Sequence, residues 1–184
     1  MTELPELPEL VELLDDAGAV VGTAPKATVH HADTPLHRAF SCYVFDAGGR
    51  VLLTRRALAK RTWPGVWTNS CCGHPGPGED DVTAVVRRCG QELGLEVADV
   101  RPVWPDFRYR AVDASGVVEN EICPVYVATA VADPVPDPTE VVEWAWVSPG
   151  ALVGAATGAP ALLSPWSVEQ VPGLVDRGVL PATA

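Results

Sequence analysis

No apolar run in this chain approaches the ~20 residues that cross a bilayer, and its start is acidic (Glu3, Glu6, Glu9, Glu12) rather than basic or hydrophobic. A membrane span, a secretory signal and a mitochondrial leader are therefore not expected, and the chain reads as cytoplasmic. Basic residues are scarce as well: 13 Lys and Arg stand against 24 Asp and Glu, for a formal net charge of -11. Such a chain repels a phosphate backbone, which argues against non-specific nucleic-acid binding. Cysteine is present without a framework. Cys42, Cys71, Cys72, Cys89 and Cys123 are odd in number and show no Cys-x-x-Cys spacing, so reduced thiols are expected rather than disulfides or a thiolate zinc knuckle.

What is present is a globular composition, 47% hydrophobic and 20% charged over 184 residues. A chain of that length can bury roughly 70% of its unfolded surface, enough for one compact domain standing alone. The expected limits are an acidic N-terminal tail and lead-in over 1–20, the domain over 21–175 and a C-terminal tail over 176–184; the first eight residues, with Pro5 and Pro8, read as frayed. Charge is distributed unevenly. Residues 1–25 carry six acids and no base, residues 111–184 nine acids and only Arg177, while 26–110 hold the other twelve bases against nine acids. An acidic chain thus has a cationic middle in which a small anion can bind.

The element pattern is mixed. Ala39–Phe45, a glycine turn at Asp46–Arg50 and Val51–Thr54 predict a hairpin. Trp63-Pro-Gly-Val-Trp67 and the Gly/Pro-rich stretch after Cys71 predict loops. Val82, Val85, Val86, Cys89 and Leu93 fall at helical spacing, with Asp80 or Asp81 as the cap and Gly94 as the stop. Val117–Ala130 reads as a strand interrupted at Pro124, which would put that residue at an edge or a bulge. Val141–Val147 reads as another strand. Ser164-Pro165 starts a short last helix expected to run to Val171, before Pro172-Gly173. Strands and helices without repeating βαβ units predict an α+β fold, helices packed on a mixed sheet.

Chemistry concentrates around the first helix and the histidines. Gly73, Glu79, Arg87 and Glu92-Leu-Gly-Leu follow the spacing of the Nudix box, Gly-x5-Glu-x7-Arg-Glu-hydrophobic-x-Glu-Glu-x-Gly-hydrophobic, which binds a divalent metal against a diphosphate. Two acids of that box are missing: Arg88 and Gln91 stand in their places. Hydrolysis by metal-activated water needs several carboxylates, so cleavage is disfavoured while binding of a metal diphosphate survives. All four histidines lie between positions 30 and 74. His30, His37 and His74, with Glu119 and Glu121 on one face of a strand, can supply a five- or six-coordinate shell for Mn²⁺, Mg²⁺ or Zn²⁺.

Longer motifs add a resemblance. His30-His-Ala-Asp-Thr-Pro-Leu-His37-Arg-Ala-Phe, Thr54-Arg-Arg, Trp63-Pro-Gly-Val-Trp-Thr-Asn-Ser, Cys72-Gly-His-Pro, Phe107-Arg-Tyr-Arg-Ala and Glu119-Asn-Glu-Ile-Cys-Pro-Val together resemble type 1 isopentenyl-diphosphate delta-isomerase of the Nudix superfamily, from about Val21 to Gln170. The resemblance implies a Nudix-like mixed β-sheet with packed helices, acting in isoprenoid precursor synthesis. It implies a protein-bound Mn²⁺, Zn²⁺ or Mg²⁺ on His30, His37, His74, Glu119 and Glu121, and a Mg²⁺ held by Glu92 and the Cys72 carbonyl together with the diphosphate. Lys26, Arg56, Lys60 and Arg88 match diphosphate-contacting bases. Cys72 and Glu121 match the catalytic pair, with Tyr109 and Trp166 beside them.

That pair suits the chemistry implied. Moving a double bond between isopentenyl and dimethylallyl diphosphate needs a proton added at one carbon and another removed two carbons away, through a tertiary carbocation. For isopentenyl diphosphate the expected donor is Glu121, with Tyr109 hydrogen-bonded to it as relay, and the expected base is Cys72. The Trp166 face can stabilise the cation. The partner implied is a small allylic or homoallylic diphosphate, with no nucleic acid or membrane, on a monomer or weak dimer. Two rival readings are a Nudix pyrophosphohydrolase, which would need acids elsewhere to replace those lost at Arg88 and Gln91, and a catalytically silent metal- or diphosphate-binding module.

Overall fold

The computed structural model describes residues 9–182. The frayed tail expected over the first eight residues therefore lies outside the described residues. In chain order the elements are β1 (Leu10–Leu14), β2 (Val20–Pro25), α1 (Lys26–Val29), β3 (His37–Arg38), β4 (Phe40–Phe45), β5 (Val51–Arg56), β6 (Trp67–Thr68) and β7 (Cys71–Gly73). They continue with α2 (Asp81–Leu93), β8 (Val97–Trp104), β9 (Arg108–Val112), β10 (Val118–Ile122), β11 (Val125–Ala130), β12 (Val141–Val147), α3 (Pro149–Gly158) and α4 (Pro165–Asp176). No described helix is long and apolar enough to cross a membrane.

The strands form two sheets. One has the order β2-β1-β3-β10-β9; the other is β12-β5-β4-β11-β8, with β6 added on β5 and β7 on β4. The chain passes between them twice. β3 leads directly into β4, and β10 into β11, so both crossings keep their partners parallel: β10 on β3 and β11 on β4. Pro124 sits at the second crossing, not at an edge or a bulge. There the ladder is changing sheets and needs no N–H from residue 124, while the Pro124 carbonyl still accepts from the Ser41 amide at 3.0 Å.

Alternation along β4 divides the core into two layers. Phe40, Cys42 and Val44 face α2, against Val85, Cys89 and Leu93; Tyr43 faces the other way, into the cluster with Leu152, Trp166, Val171 and Leu174 of α3 and α4. The predicted hairpin between β4 and β5 is present, its turn closed by Asp46 and by Gly49 at φ 76°. The α2 cap is Asp80, which accepts from the Thr83 amide, and Gly94 ends the helix in the left-handed region.

The buried stripe of α2 departs from its apolar spacing. It consists of Ala84, Val85, Arg88, Cys89, Glu92 and Leu93, while Val82 and Val86 are exposed. Two charged residues take core-facing positions because that end of the stripe lines a cavity, where Arg88 and Glu92 meet Lys26, Arg56 and Lys60. The last helix also runs past its expected stop. It continues through Pro172 to Asp176, giving up one backbone hydrogen bond, with Gly173 so close to the Trp104 ring that a Cβ would lie 2.2 Å from it. Arg177 then stacks over the same ring, 3.8 Å from its centroid.

The acidic lead-in is built into the first sheet. Val11 is fully buried, and Glu12, also buried, accepts from the Gly78 amide at 3.0 Å and from Arg38 Nη1 at 2.9 Å. Arg38 reaches on to Asp81 at the start of α2, and the Tyr126 hydroxyl donates to the same carboxylate. Glu12→Ala should cost about 1.5–3 kcal/mol, since it removes charge-assisted bonds from the Gly78 amide and from Arg38. The Gly78 amide first, then Arg38, holds the Glu12 carboxyl below its ordinary 4.5. Its contribution is complete above pH 4.5 and disappears as pH falls through the lowered value. Urea unfolding curves of wild type and variant should differ at pH 7 and converge in strong acid.

Candidate functional site

Three adjacent strands supply half of the site. Glu121 on β10 lies opposite His37 of β3 on one side and Tyr109 of β9 on the other, so one rung presents all three side chains to one face. Glu119, two residues earlier, projects from the same face. His30 follows α1, and His74 follows β7. Together they meet at Glu121 Oε1: His74 Nε2 at 3.2 Å, His37 Nε2 at 3.3 Å and His30 Nε2 at 4.0 Å. His37 Nε2 and His74 Nε2 are 3.2 Å apart.

These four residues offer one ligand atom each within 4.8 Å of one another, an arrangement that could hold a metal ion. Metal bonds of about 2.0–2.2 Å place neighbouring ligand atoms roughly 3 to 3.6 Å apart, the range of the contacts among His37, His74 and Glu121, with His30 slightly farther out at 4.0 Å. His37 Nδ1 donates to the Pro35 carbonyl at 2.9 Å, and because a carbonyl only accepts, the lone pair is left on Nε2 facing the cluster. His30 Nε2 is buried with no hydrogen-bond partner, an atom that a metal would satisfy. Burial drives the His74 imidazole down to about 4, so it is neutral, as a ligand must be. At His37 burial also pulls downward, but the contact with Glu121 outweighs it and the value is raised. Burial alone would raise Glu121; the three imidazoles hold it well below the carboxylate range.

Glu119 and Tyr109 depart from expectation. Glu119 is outside the four-residue group and accepts from Thr62 Oγ1 and from the Tyr109 hydroxyl, each at 2.5 Å. Tyr109 therefore bonds Glu119, not Glu121. Both carboxylates share a strand face, but the phenol lies nearer the first, and the imidazoles occupy the second. Burial pushes the Tyr109 hydroxyl well above its ordinary value, so it remains a donor.

The other half of the site comes from the second sheet. Cys72 on β7 lies opposite Ser41 of β4, and its Sγ is 3.2 Å from Asn69 Oδ1 and 3.5 Å from Ser41 Oγ. Burial pushes its thiol up to about 12. Trp166, at the start of α4, sits edge-on to Trp63 and 5.8 Å from Tyr109 between centroids, with the Arg56 guanidinium 5.3 Å from its own. Gly73 must lack a side chain, since a Cβ would fall 2.9 Å from Arg88 Cγ and 3.0 Å from the Phe40 ring.

Every predicted site residue except His37 lines one cavity of about 430 Å³; His37 is fully buried behind it. The four bases enter it already engaged. Lys26 bonds Glu9 at 2.7 Å, Arg56 bonds the Thr62 carbonyl, Lys60 pairs with Glu140, and Arg88 pairs with Glu92. Arg88 also lies 3.7 Å from both Glu9 and Glu140. By contrast Glu79, the first acid of the box, is held by Arg87 through two bonds and by the Gly76 amide, away from this cavity.

Four contributors escaped the sequence reading. Thr62 anchors Arg56 and Glu119; Asp113 accepts from the Trp63 amide at 2.9 Å and holds that residue at φ 43°. Glu140 pairs with Lys60. Asn69 lies within the Trp-Thr-Asn-Ser motif, but its part is visible only from its contacts.

Comparison with known proteins gives a consistent set of relatives. A NUDIX domain model matches residues 35–168. A protein of Frankia alni named isopentenyl-diphosphate Delta-isomerase is 63% identical over 88% of this chain and 83% of its own length. One of the same name from Clavibacter sepedonicus is 57% identical over 97% of this chain and 100% of its own, and one from Mycolicibacterium vanbaalenii 59% identical over 92% and 93%. Among solved structures, DR0079 of Deinococcus radiodurans superposes with a TM-score of 0.70 over 90% of this chain and 98% of that one. A MutT protein of Methanosarcina mazei gives 0.61 over 78% and 96%. Both are 20% identical, a likeness of fold.

Proposed function

The chain belongs to the NUDIX-domain isopentenyl-diphosphate Delta-isomerases and interconverts isopentenyl and dimethylallyl diphosphate in isoprenoid biosynthesis; from that premise we propose how its residues divide the work. The observation that carries the proposal is the single cavity in which Cys72 and Glu121 share walls with Lys26, Arg56, Lys60 and Arg88. The bases take the diphosphate. The position that a hydrolase gives to a metal carboxylate is Arg88, a cation for the substrate. Cys72 and Glu121 exchange protons with the five-carbon unit.

The proton affinities of the pair fit a difficult reaction. A thiol pushed up to about 12 is a strong base once ionised, and a carboxyl held low is a strong acid once protonated. Protonating an unactivated alkene and then removing a proton two carbons away uses both extremes. At rest the proton sits on Cys72, which is the state that isopentenyl diphosphate leaves behind after turnover; dimethylallyl diphosphate starts from it. Each direction thus begins from one of two proton placements on the same pair, and the pair must reset between turnovers in one direction. Tyr109 acts through Glu119, keeping that carboxylate turned away from the alkene. The Trp166 ring supplies a face for the cation, ~0.5–2 kcal/mol or more when water is excluded.

His30, His37, His74 and Glu121 would hold a divalent metal, Mn²⁺, Zn²⁺ or Mg²⁺, with Glu119 beside it. When bound, its charge keeps Glu121 acidic and fixed in place. Glu92 and the Cys72 carbonyl would hold a Mg²⁺ together with the diphosphate, and its charge would help neutralise the phosphate oxygens.

Incubating the protein with isopentenyl diphosphate and Mg²⁺ in D₂O tests the scheme. Allylic diphosphate carrying deuterium is the expected product. Phosphate or pyrophosphate as the main product would overturn it in favour of hydrolysis, and absence of turnover would leave a binding module.

A further inference from the structure

Asn69 follows β6 and is fully buried. Its Nδ2 donates to two backbone carbonyls, Cys42 at 3.1 Å and Cys71 at 2.9 Å. Carbonyls only accept, so these bonds settle which end of the amide is nitrogen. Oδ1 is thereby turned toward the cavity wall, where it accepts from Trp166 Nε1 at 2.9 Å, from Cys72 Sγ at 3.2 Å and from Thr68 Oγ1 at 2.8 Å. The Asn69 amide N–H is itself held by Ser167 Oγ at 3.1 Å.

One oxygen therefore orients two groups from different elements, the thiol of β7 and the indole of α4. A buried indole N–H keeps a single ring orientation when it has one fixed acceptor. A thiol has only one rotatable bond to set where its sulfur points, and a partner at hydrogen-bond distance selects that rotamer. We propose that Asn69 is a positioning residue of the isomerase: it fixes the Trp166 ring plane and the Cys72 sulfur together, so that the base and the cation-stabilising face meet the same allylic unit. The inference rests on the roles given above to Cys72 and Trp166. Asn69 does not touch the diphosphate clamp, and its effect falls on the chemical step rather than on binding. A misplacement of about 1 Å at reacting groups costs on the order of 10²-fold in rate.

The test is Asn69→Ala, with Glu12→Ala as a control that loses stability at a residue that does not line the cavity. The expected result is a fall in kcat of about 10²-fold with KM for isopentenyl diphosphate within about threefold, while Glu12→Ala keeps kcat within about threefold. In a Trp166→Phe background, which keeps a ring but removes the N–H, Asn69→Ala should cost less than in wild type, because the two act through one bond. If the alanine variant does not fold, Asn69→Ser replaces it: its hydroxyl can serve one backbone carbonyl but ends short of Trp166 and Cys72, and the same split is expected. A kcat that follows only the loss of thermal stability, as in the control, overturns the proposal, as does full additivity with Trp166→Phe. Cys72→Ala separates the two levels. If it retains turnover, the assignment of Cys72 itself fails; if it is inactive while the Asn69 variants are normal, only the positioning role fails.

Discussion

Cys72→Ala should reduce kcat in both directions by on the order of 10²- to 10⁴-fold, the range for removing a positioned proton-transfer group, with the fold and bound metal retained. The side chain is small and partly exposed to the cavity, and its two hydrogen-bond partners keep others: Asn69 Oδ1 retains Trp166 and Thr68, and Ser41 Oγ retains Gln170. The expected cost in stability is thus only ~1 kcal/mol. Cys42, Cys71, Cys89 and Cys123 are buried and do not line the cavity, so none can replace the lost thiol. Steady-state kinetics, a thermal melt and a metal analysis on one preparation check all three parts. A near-normal kcat would remove Cys72 from the mechanism. An inactive variant that had also lost its melting transition would indicate a structural cysteine.

Removing the divalent metal should abolish turnover and lower the melting temperature together. Without it, three imidazoles crowd around Glu121 Oε1, and His30 Nε2 is buried and unpaired. A metal bound to the native state at one hundred times its dissociation constant stabilises by ~2.7 kcal/mol, which for a chain of this size corresponds to roughly 5–11 °C. Titration with a chelator followed by re-addition of Mn²⁺, Zn²⁺ or Mg²⁺ reads both effects and identifies the metal that restores them. Binding must displace any proton from the ligands, and His37 holds its proton above the ordinary 6.5 because of Glu121. Affinity should accordingly weaken as pH falls toward and below that value, and metal release should track loss of activity. Full activity in metal-free protein would mean that the His and Glu cluster serves only as a buried polar network.

Much of this was legible in the chain. Residue types and spacing around Gly73, Arg87 and Glu92 suggested a metal-diphosphate site, and the histidines of positions 30 to 74 a candidate metal shell, because metal and phosphate chemistry admit few side chains; the fold gathers His30, His37, His74 and Glu121 into one group that could hold an ion. Turn and cap residues did the same for the β4–β5 hairpin and for both ends of α2. Where reading failed, the reason was that hydrophobicity stood in for burial. The valines at 82 and 86 are exposed and Arg88 and Glu92 are buried, since a cavity reverses the usual preference of a helix face. Helix α3, rich in alanine and glycine, shows no polar face to reveal it.

Proline and charge misled for related reasons. Pro124 and Pro172 each lack an N–H, a loss that local pattern treats as a strand or helix end; a sheet crossing and the packing of Gly173 on Trp104 tolerate it. The acidic start looked solvated, yet Glu12 is buried because Gly78 and Arg38, distant in sequence, satisfy it. Sequence alone determined the inventory: which atoms could bind metal, hold phosphate and move protons, as covalent structure and ionisation dictate. Tertiary structure decided the pairings, such as Tyr109 on Glu119 rather than Glu121 and Asn69 beneath both Cys72 and Trp166. A hydrogen bond reaches only about 3 Å, and strand register and helix docking alone bring residues so far apart in the chain within that distance.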